Sequence, residues 1–260
     1  MPARHAPELV SAELLDLTHR LALPERDLVI LAEGNTSEQL SPEAIVVKAS
    51  GSSMQHATAE DFVAIEIDPL LELVRDPAAD QAALTAALTA PGGDGGGAPR
   101  RASIETLVHA AVRAFAPVRF VAHTHPTAVV SLLASVHAEE SFAEAVYSDE
   151  VVVLGRSLFV PYAQPGIDLA RIFLERLERH VADHGEVPSL ILLGNHGIVA
   201  NSATADGAEA ISLMAVKSAR VRIAALQIGG IAGLSAAATA HYFEREDFRE
   251  RRAALAGMEG

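Results

Sequence analysis

The alternation of apolar and polar positions predicts helices and strands interleaved along the chain. Apolar residues three or four positions apart are typical of a helix buried on one face, and short apolar runs bounded by turn residues are typical of strands. This pattern predicts helices over the ranges 8–23, 78–90, 104–115, 129–136, 167–182 and 205–226. It predicts strands over the ranges 44–48, 62–67, 119–124, 151–154, 158–161, 189–193 and 198–200. Interleaving of this kind favours a layered α/β domain around a mainly antiparallel or mixed sheet.

Glycine-rich and charged segments mark the loops and the tail of the predicted domain. The sequence EGNTS at 33–37 is predicted to be a turn, and PGGDGGGAP at 91–99 is predicted to be a flexible surface loop. The charged stretch EREDFRERR at 244–252 is typical of a solvated helix face. We therefore expect one domain over residues 1–260, with a loop insertion near 91–99 and a helical tail from about residue 229.

Amino-acid composition excludes several classes of function and partner for this chain. The chain carries 20 Lys and Arg against 34 Asp and Glu, a formal charge of −14, so phosphates of nucleic acids and anionic membranes would be repelled. It has no cysteine, which excludes disulfides, thiolate zinc sites and a cysteine nucleophile. No apolar run approaches the ~18 residues of a membrane span, and acidic residues interrupt the amino-terminal apolar positions, unlike a signal peptide. We expect a cytoplasmic protein that binds neither nucleic acid nor membrane.

Three histidines stand in settings that suit a metal. His123 and His125 lie two positions apart in VAHTHP on a predicted strand, so their side chains project to one face. Loss of solvation by two adjacent imidazoles is unfavourable unless they share a ligand, which is usually a divalent metal. A solvent-facing histidine pair at a strand end has the same spacing and is the alternative. His196 lies at a predicted turn in LLGNHGIVA. Three imidazoles with an open fourth position are typical of a catalytic zinc site.

An acidic residue and two loops of small residues complete the candidate chemistry. Ser103 is the predicted N-cap of the helix over 104–115, and Glu105 falls in the first turn of that helix. The helix dipole favours a carboxylate there, so Glu105 is either the catalytic acid or an ordinary helix-start charge. His109 follows four residues later on the same helix face. The loops at 34–37 and 50–53 offer backbone N–H groups and hydroxyls that can surround an anion, as ordinary turns also do.

Five short motifs, in this order, resemble the class II aldolase/adducin family. They are EGNTS at 33–37, KASG at 48–51, SIET at 103–106, HTHP at 123–126 and NHG at 195–197. The resemblance runs roughly from residue 10 to residue 226. It implies a single class II aldolase-like domain with a three-layer α/β/α fold around a central, mainly antiparallel sheet. It also implies a homotetramer with one divalent metal ion per subunit, Zn²⁺ first, with Mn²⁺, Co²⁺ or Fe²⁺ as alternatives.

Matching the motifs residue by residue implies a role for each position. The metal ligands implied are His123, His125 and His196, and the implied catalytic acid/base is Glu105. The positions that match the family's substrate phosphate site are Gly34, Asn35, Ser50, Gly51 and Ser103. The chain departs from the aldolases at Ile104, where those enzymes have a second serine directly before the glutamate. This departure puts the phosphate, or the way it binds, in question.

Two tyrosines match the family more loosely. Tyr147 falls near a tyrosine that donates a proton in the neighbouring subunit of the aldolases, and Tyr242 is a weaker candidate that would close the pocket. The implied function is a metal-dependent lyase that cleaves a small-molecule ketose or ketose phosphate through a metal-stabilised enediolate. The alternatives are a decarboxylase, epimerase or dehydratase on a sugar-acid derivative, or a non-enzymatic interaction module of the adducin type, which would lack the metal histidines.

Overall fold

A computed structural model describes residues 3–91 and 98–255 of the chain. The strands are β1 (Arg4–His5), β2 (Asn35–Ser41), β3 (Ala44–Lys48), β4 (Phe62–Glu66), β5 (Thr89–Ala90), β6 (Arg100–Arg101), β7 (Phe120–Thr124), β8 (Leu158–Val160), β9 (Leu190–Leu193) and β10 (Gly197–Ser202). The α-helices are α1 (Ala12–Leu21), α2 (Ile67–Arg75), α3 (Gln81–Leu88), α4 (Thr106–Arg113), α5 (Thr127–Leu133), α6 (Ser148–Leu154), α7 (Ile167–His184), α8 (Ala205–Gln227), α9 (Ala236–Glu244) and α10 (Glu246–Leu255). Short 3₁₀ helices lie at Pro7–Leu9, Pro24–Arg26, Met54–His56 and Ala59–Asp61.

One sheet runs through the molecule in the order β1-β4-β3-β2-β7-β10-β9-β8. All neighbouring strands are antiparallel except β8 and β9, which are parallel. Because successive side chains of a strand point to opposite faces, Ile45 and Val47 pack against one apolar layer and Val46 against the other. The first layer contains α2, α3, α4 and α7, and the second contains α1, α5 and α8. The expected three-layer α/β/α fold with a mainly antiparallel sheet is confirmed.

Strand β2 occupies the centre of the sheet although its sequence is polar. It pairs with β3 on one side and β7 on the other, so the prediction of a turn over 33–37 is wrong from Asn35 onward. Its buried polar groups find partners inside the protein. Thr36 Oγ1 lies 2.6 Å from Thr18 Oγ1, and the Glu38 carboxylate accepts hydrogen bonds from Arg119 at 2.8 and 3.0 Å. These bonds compensate the desolvation that excludes most polar residues from a central strand.

Residues 151–154, predicted to be a strand, belong to helix α6 instead. The β-branched run Val151–Val153 favours a strand by propensity, but packing against α8 and α10 decides otherwise. Glu150 in its first turn is buried and forms an ion pair of 2.6 Å with the fully buried Arg222 of α8. The helix is therefore attached to the body of the fold by charge as well as by apolar contact.

Helices α9 and α10 are the last elements of the described residues, and Phe248 of α10 is buried against Val151 and Val152. Residues 92–97, on which most of the predicted loop insertion falls, lie outside the described residues. The division of the chain into domains stays a prediction. Among the residues described, none of the helices combines the length and apolarity that crossing a bilayer requires.

Candidate active site

Strand β7 brings two of the three histidines to one end of the sheet, and a turn brings the third. His123 on β7 lies opposite Asn35 of β2 and Val199 of β10, and His125 follows directly after the strand ends. His196 occupies the turn between β9 and β10, where its backbone N–H donates to Leu193. Because β7 is flanked by β2 and β10, residues that are distant in sequence meet at this end of the three strands.

The three imidazoles surround one point. The ring centroids of His123, His125 and His196 are 4.7, 4.9 and 5.0 Å apart in pairs, and one ligand nitrogen from each lies within 4.8 Å of the others. Nitrogens that bind one tetrahedral ion at 2.0–2.1 Å lie about 3.4 Å apart. The observed cluster is therefore of the size that a single ion requires after small movements of the side chains.

A hydrogen bond determines which ring nitrogen of His123 has a free lone pair for a metal. Its Nδ1 lies 2.9 Å from the carbonyl oxygen of Ile198, and a carbonyl only accepts, so Nδ1 carries the proton. The lone pair of Nε2 then points toward Nε2 of His125, 2.9 Å away. Nδ1 of His125 lies 3.7 Å from the carboxylate of Glu33, which is beyond hydrogen-bond distance, although metal-bound histidines often have a carboxylate partner on that nitrogen. Converging ring nitrogens of this kind fit a cation between them.

Burial keeps two of these rings neutral. It lowers the pKa of His123 well below the usual value, and the neighbouring His125 and His196 lower it further. Burial and the proximity of His125 also lower the pKa of His196. Nδ1 of His196 is buried and has no hydrogen-bond partner within the described part of the chain. Neutral imidazoles have the lone pair that a metal needs.

Two glycines allow the backbone to approach the histidines closely. A Cβ at Gly197 would overlap the carbonyl oxygen of Thr124 and lie 2.8 Å from Cδ2 of His125. Gly34 has φ of +68°, and a Cβ there would lie 2.8 Å from the carbonyl oxygen of His123. A side chain at either position would displace β7 or the ring of His125.

Glu105 lies at the N-cap of α4 rather than in its first turn, because the helix begins at Thr106. The predicted cap, Ser103, instead donates its hydroxyl to Oε2 of Glu105 at 2.6 Å. Asn35 donates its Nδ2 to the same oxygen at 3.1 Å. The other carboxylate oxygen, Oε1, lies 3.9 Å from Nε2 of His196. The acid is therefore held through one oxygen while the other faces the histidine cluster.

Backbone hydrogen bonds join the segments around Ser50 and Ser103, both of which carry residues predicted to bind an anion. Ser103 N–H donates to the carbonyl of Lys48 at 3.2 Å, and Ser50 N–H donates to Arg101 at 2.8 Å. Ser50 and Gly51 form an exposed turn beside Ser103, whose hydroxyl also accepts a hydrogen bond of 3.0 Å from Asn35. The structure thus brings Asn35, Ser103 and Glu105 into contact and places the Ser50–Gly51 turn next to them.

Lys48 is a further charged residue near the site that the sequence analysis did not select. It is 1% exposed, and its Nζ donates to the carbonyl of Ala49 at 3.1 Å. Burial lowers its pKa to about 8, although Asp61 and Glu105 favour the charged form. The only sequence signal is a lysine at the end of a predicted strand within KASG.

Ile104 is the position at which the chain departs from the aldolases. Its side chain packs against the core and lies beside Gly166.

The two tyrosines lie against other parts of the fold. The Tyr147 hydroxyl donates to Sδ of Met214 on α8 at 2.7 Å, and burial raises its pKa. The Tyr242 ring lies 6.4 Å from Phe248 on the terminal helices. Within the described residues, no hydrogen bond or ring contact joins either tyrosine to the three histidines or to Glu105.

Comparison with known proteins identifies a family for this chain. The family model described as Class II Aldolase and Adducin N-terminal domain matches residues 12–223. The uncharacterized oxidoreductase YuxG of Bacillus subtilis (strain 168) is 30% identical over 157 residues, which are 60% of this chain and 20% of that protein. The chain therefore spans about a fifth of the length of that curated relative.

Solved structures share the fold. The N-terminal class II aldolase domain of a conserved protein from Thermoplasma acidophilum matches with a TM-score of 0.61 and 22% identity, over 81% of this chain and 92% of that one. The L-fuculose-1-phosphate aldolase of Thermus thermophilus matches with a TM-score of 0.57 and 20% identity, over 84% and 98%. Together with the match to the family model, these findings confirm the resemblance: the chain belongs to the class II aldolase and adducin N-terminal domain family.

Proposed function

We propose that this protein is a metal-dependent, aldolase-type lyase that cleaves a carbon–carbon bond in a ketose or ketose phosphate. The observation that carries the proposal is the position of Glu105, whose free Oε1 lies 3.9 Å from one of three imidazoles that surround a single point. Such a pairing of a metal site with a positioned acid suits chemistry that passes through a stabilised carbanion.

In this proposal His123, His125 and His196 hold one divalent ion per subunit. Imidazole suits zinc, manganese, cobalt and iron, and Zn²⁺ is our first expectation. A bound ion there would polarise a substrate carbonyl and offset the negative charge that develops in an enediolate. The proposal predicts that His123→Ala abolishes stoichiometric metal in protein purified without chelators, whereas His180→Ala, a buried histidine on α7, leaves it unchanged.

Glu105 is proposed to move a proton at the enediolate carbon through Oε1. A single general acid/base contributes typically ~10²–10⁴-fold to the rate, so Glu105→Gln should reduce turnover by about that factor while metal content stays the same. Glu43→Gln, a change of an exposed glutamate in the β2–β3 turn, is the matched control. Full turnover by metal-loaded Glu105→Gln would show that the assigned role is wrong.

The substrate anion is proposed to lie against the segments that carry Gly34, Asn35, Ser50, Gly51 and Ser103. Ser50 and Gly51 form an exposed turn there, Asn35 and Ser103 supply an amide and a hydroxyl, and Lys48 adds one buried positive charge. Assays of ketose phosphates against the same ketoses without phosphate test this part. A phosphate preference should decrease in Lys48→Met, because the cation near the anion is removed.

A second candidate is a decarboxylase, epimerase or dehydratase acting on a sugar-acid derivative. Ile104 favours it, because this residue packs into the core where the aldolases have a second serine hydroxyl. A site with fewer hydroxyls and one cation suits a singly charged carboxylate as well as a phosphate. Release of CO₂ from a 3-oxo acid without release of an aldehyde from a ketose phosphate would favour this candidate. Purified protein without divalent metal would instead favour an adducin-type interaction module.

We also propose a homotetramer in which Tyr147 donates a proton in a neighbouring subunit. Tyr147 is separated from its own subunit's histidines, and burial raises its pKa, which keeps the hydroxyl protonated at neutral pH. If sites are shared, mixing inactive Tyr147→Phe and Glu105→Gln subunits after reversible dissociation should restore part of the activity. Mixtures that stay inactive although light scattering shows mixed oligomers would contradict a shared site.

A further inference from the structure

A continuous chain of buried polar side chains lies behind Glu105. Nε2 of His109 lies 2.6 Å from Oδ1 of Asn35, and Nδ1 of His109 lies 2.6 Å from Oγ of Ser37. Ser37 Oγ also accepts a hydrogen bond of 3.0 Å from the guanidinium of Arg113. His109 and Ser37 are 0% exposed, Asn35 2% and Arg113 7%. The chain therefore connects a buried cation to the carboxylate of Glu105 through three neutral groups.

The donors and acceptors in this chain can be arranged in one direction. A guanidinium only donates, so Ser37 Oγ accepts from Arg113 and its own proton is available to Nδ1 of His109. A hydroxyl can accept a second hydrogen bond as well, so the other end of the chain decides the direction. The Glu105 carboxylate only accepts, so Asn35 turns Nδ2 toward it and Oδ1 toward His109. An amide oxygen also only accepts, so the proton of the neutral ring lies on Nε2 and Nδ1 accepts from Ser37. Burial and the charge of Arg113 hold the pKa of His109 well below its usual value, so the ring does not gain a second proton. Nε2–H therefore donates to Oδ1 of Asn35.

The tautomer of His109 and the orientation of the Asn35 amide therefore require each other. With Oδ1 bound to His109, the two Nδ2 protons face Ser103 Oγ at 3.0 Å and Glu105 Oε2 at 3.1 Å. A rotated amide would place Oδ1 against the carboxylate, where two acceptors repel each other. The carboxylate would then have to move or take up a proton.

We infer that His109 is a positioning residue: through Asn35 it holds Oε2 of Glu105, so that Oε1 faces the histidine cluster. The inference rests on the function proposed above for Glu105, but the contacts that carry it do not involve the histidine cluster. It also accounts for a polar group at the centre of α4, where an apolar side chain would avoid the desolvation of two ring nitrogens.

The first test does not use activity. Nitrogen-15 NMR of histidine-labelled protein distinguishes the two neutral tautomers and the protonated ring, and His109→Gln identifies the signal. We expect the Nε2–H tautomer for His109, both without metal and with Zn²⁺ added. An Nδ1–H tautomer or a protonated ring at neutral pH would overturn the inference whatever reaction the protein catalyses.

The second test compares two amides that differ in reach. The amide of His109→Gln reaches the position of Nε2 and can still donate to Asn35, whereas the amide of His109→Asn reaches only the position of Nδ1. Since a misplacement of about 1 Å can reduce a rate about 10²-fold, we expect His109→Asn to lower kcat by about 10–100-fold, with KM within about threefold. His109→Gln should stay within about fivefold of the parent kcat, because it keeps the donor.

Controls separate positioning from general damage. His180→Asn removes a buried histidine on α7 and should lower thermal stability without lowering kcat. Equal loss of kcat in His109→Asn and His109→Gln, or a loss that appears in KM alone, would overturn the inference. If the parent protein turns over no ketose, ketose phosphate or 3-oxo acid, the proposed function fails and the NMR result still decides the orientation of Asn35.

Discussion

Replacing Lys48 by methionine should stabilise the protein at neutral pH. Burial lowers the pKa of Lys48 from 10.5 to about 8. Each pKa unit corresponds to about 1.4 kcal/mol, so the charged form of this 1% exposed side chain costs about 3 kcal/mol in the folded state. Methionine keeps most of the apolar stem and removes the charge. We expect Lys48→Met to raise the free energy of unfolding by about 2–3 kcal/mol at pH 7.

The gain should depend on pH in a defined direction. Below about pH 8, Lys48 is protonated in both the folded and unfolded states, and the folded state carries the whole cost. Between pH 8 and 10.5 the unfolded state binds more protons, so the stability of the parent protein rises with pH relative to the variant. The difference between the two proteins should therefore disappear as the pH passes about 10.5.

Urea unfolding at one protomer concentration, repeated from pH 7 to pH 10.5, measures this difference. Lys217→Met is the matched control, because Lys217 on α8 is exposed. It should change the stability by less than about 0.5 kcal/mol at every pH. A less stable Lys48→Met at pH 7, or a gain that does not shrink at high pH, would refute the reasoning that burial of this charge is unfavourable. A stable variant with weaker substrate binding would show why the lysine is present.

Two more predictions concern the histidine cluster. Gly197→Ala should lower the free energy of unfolding by about 1–3 kcal/mol, because the new Cβ overlaps Thr124 and contacts the ring of His125 too closely. It should also weaken Zn²⁺ binding, measured by calorimetry. Unchanged metal affinity would contradict this packing. Since burial lowers the pKa values of His123 and His196 from 6.5, Zn²⁺ binding at pH 6.5 should release no more than about one proton from the three imidazoles. Calorimetry in two buffers of different ionisation enthalpy measures the release, and two or three protons would contradict the neutral cluster.

The sequence predicted most elements whose burial is apolar, although it assigned 151–154 to a strand and omitted helix α2. It missed β2, whose burial is polar. Strand β3 matches the predicted range 44–48, because its side chains are buried on both faces of the sheet. Strand β2 was missed, because Asn35, Thr36 and Ser37 have the composition of a turn. Only their partners on α1 and α4 make this strand possible, and those partners are not local in sequence.

The sequence predicted those residues of the candidate site that lie in short, local motifs. HTHP and NHG located the three imidazoles, which the sheet then brings together. The contact between Asn35 and His109 spans 74 residues, so no local pattern indicates it. The capping role expected of Ser103 was wrong because the helix begins at Thr106, two residues later than predicted, and Glu105 takes the N-cap position.

The position of β7 has a consequence for the order of events during synthesis. Its neighbours β2 and β10 come from opposite ends of the chain, so the strand that carries His123 completes its pairing only after residue 202 has been made. Closing such long loops precedes any stabilising contact between the ends, which makes folding slow. A nascent chain that ends before His196 has two of the three imidazoles, and metal therefore cannot guide the early stages of folding through the complete triad.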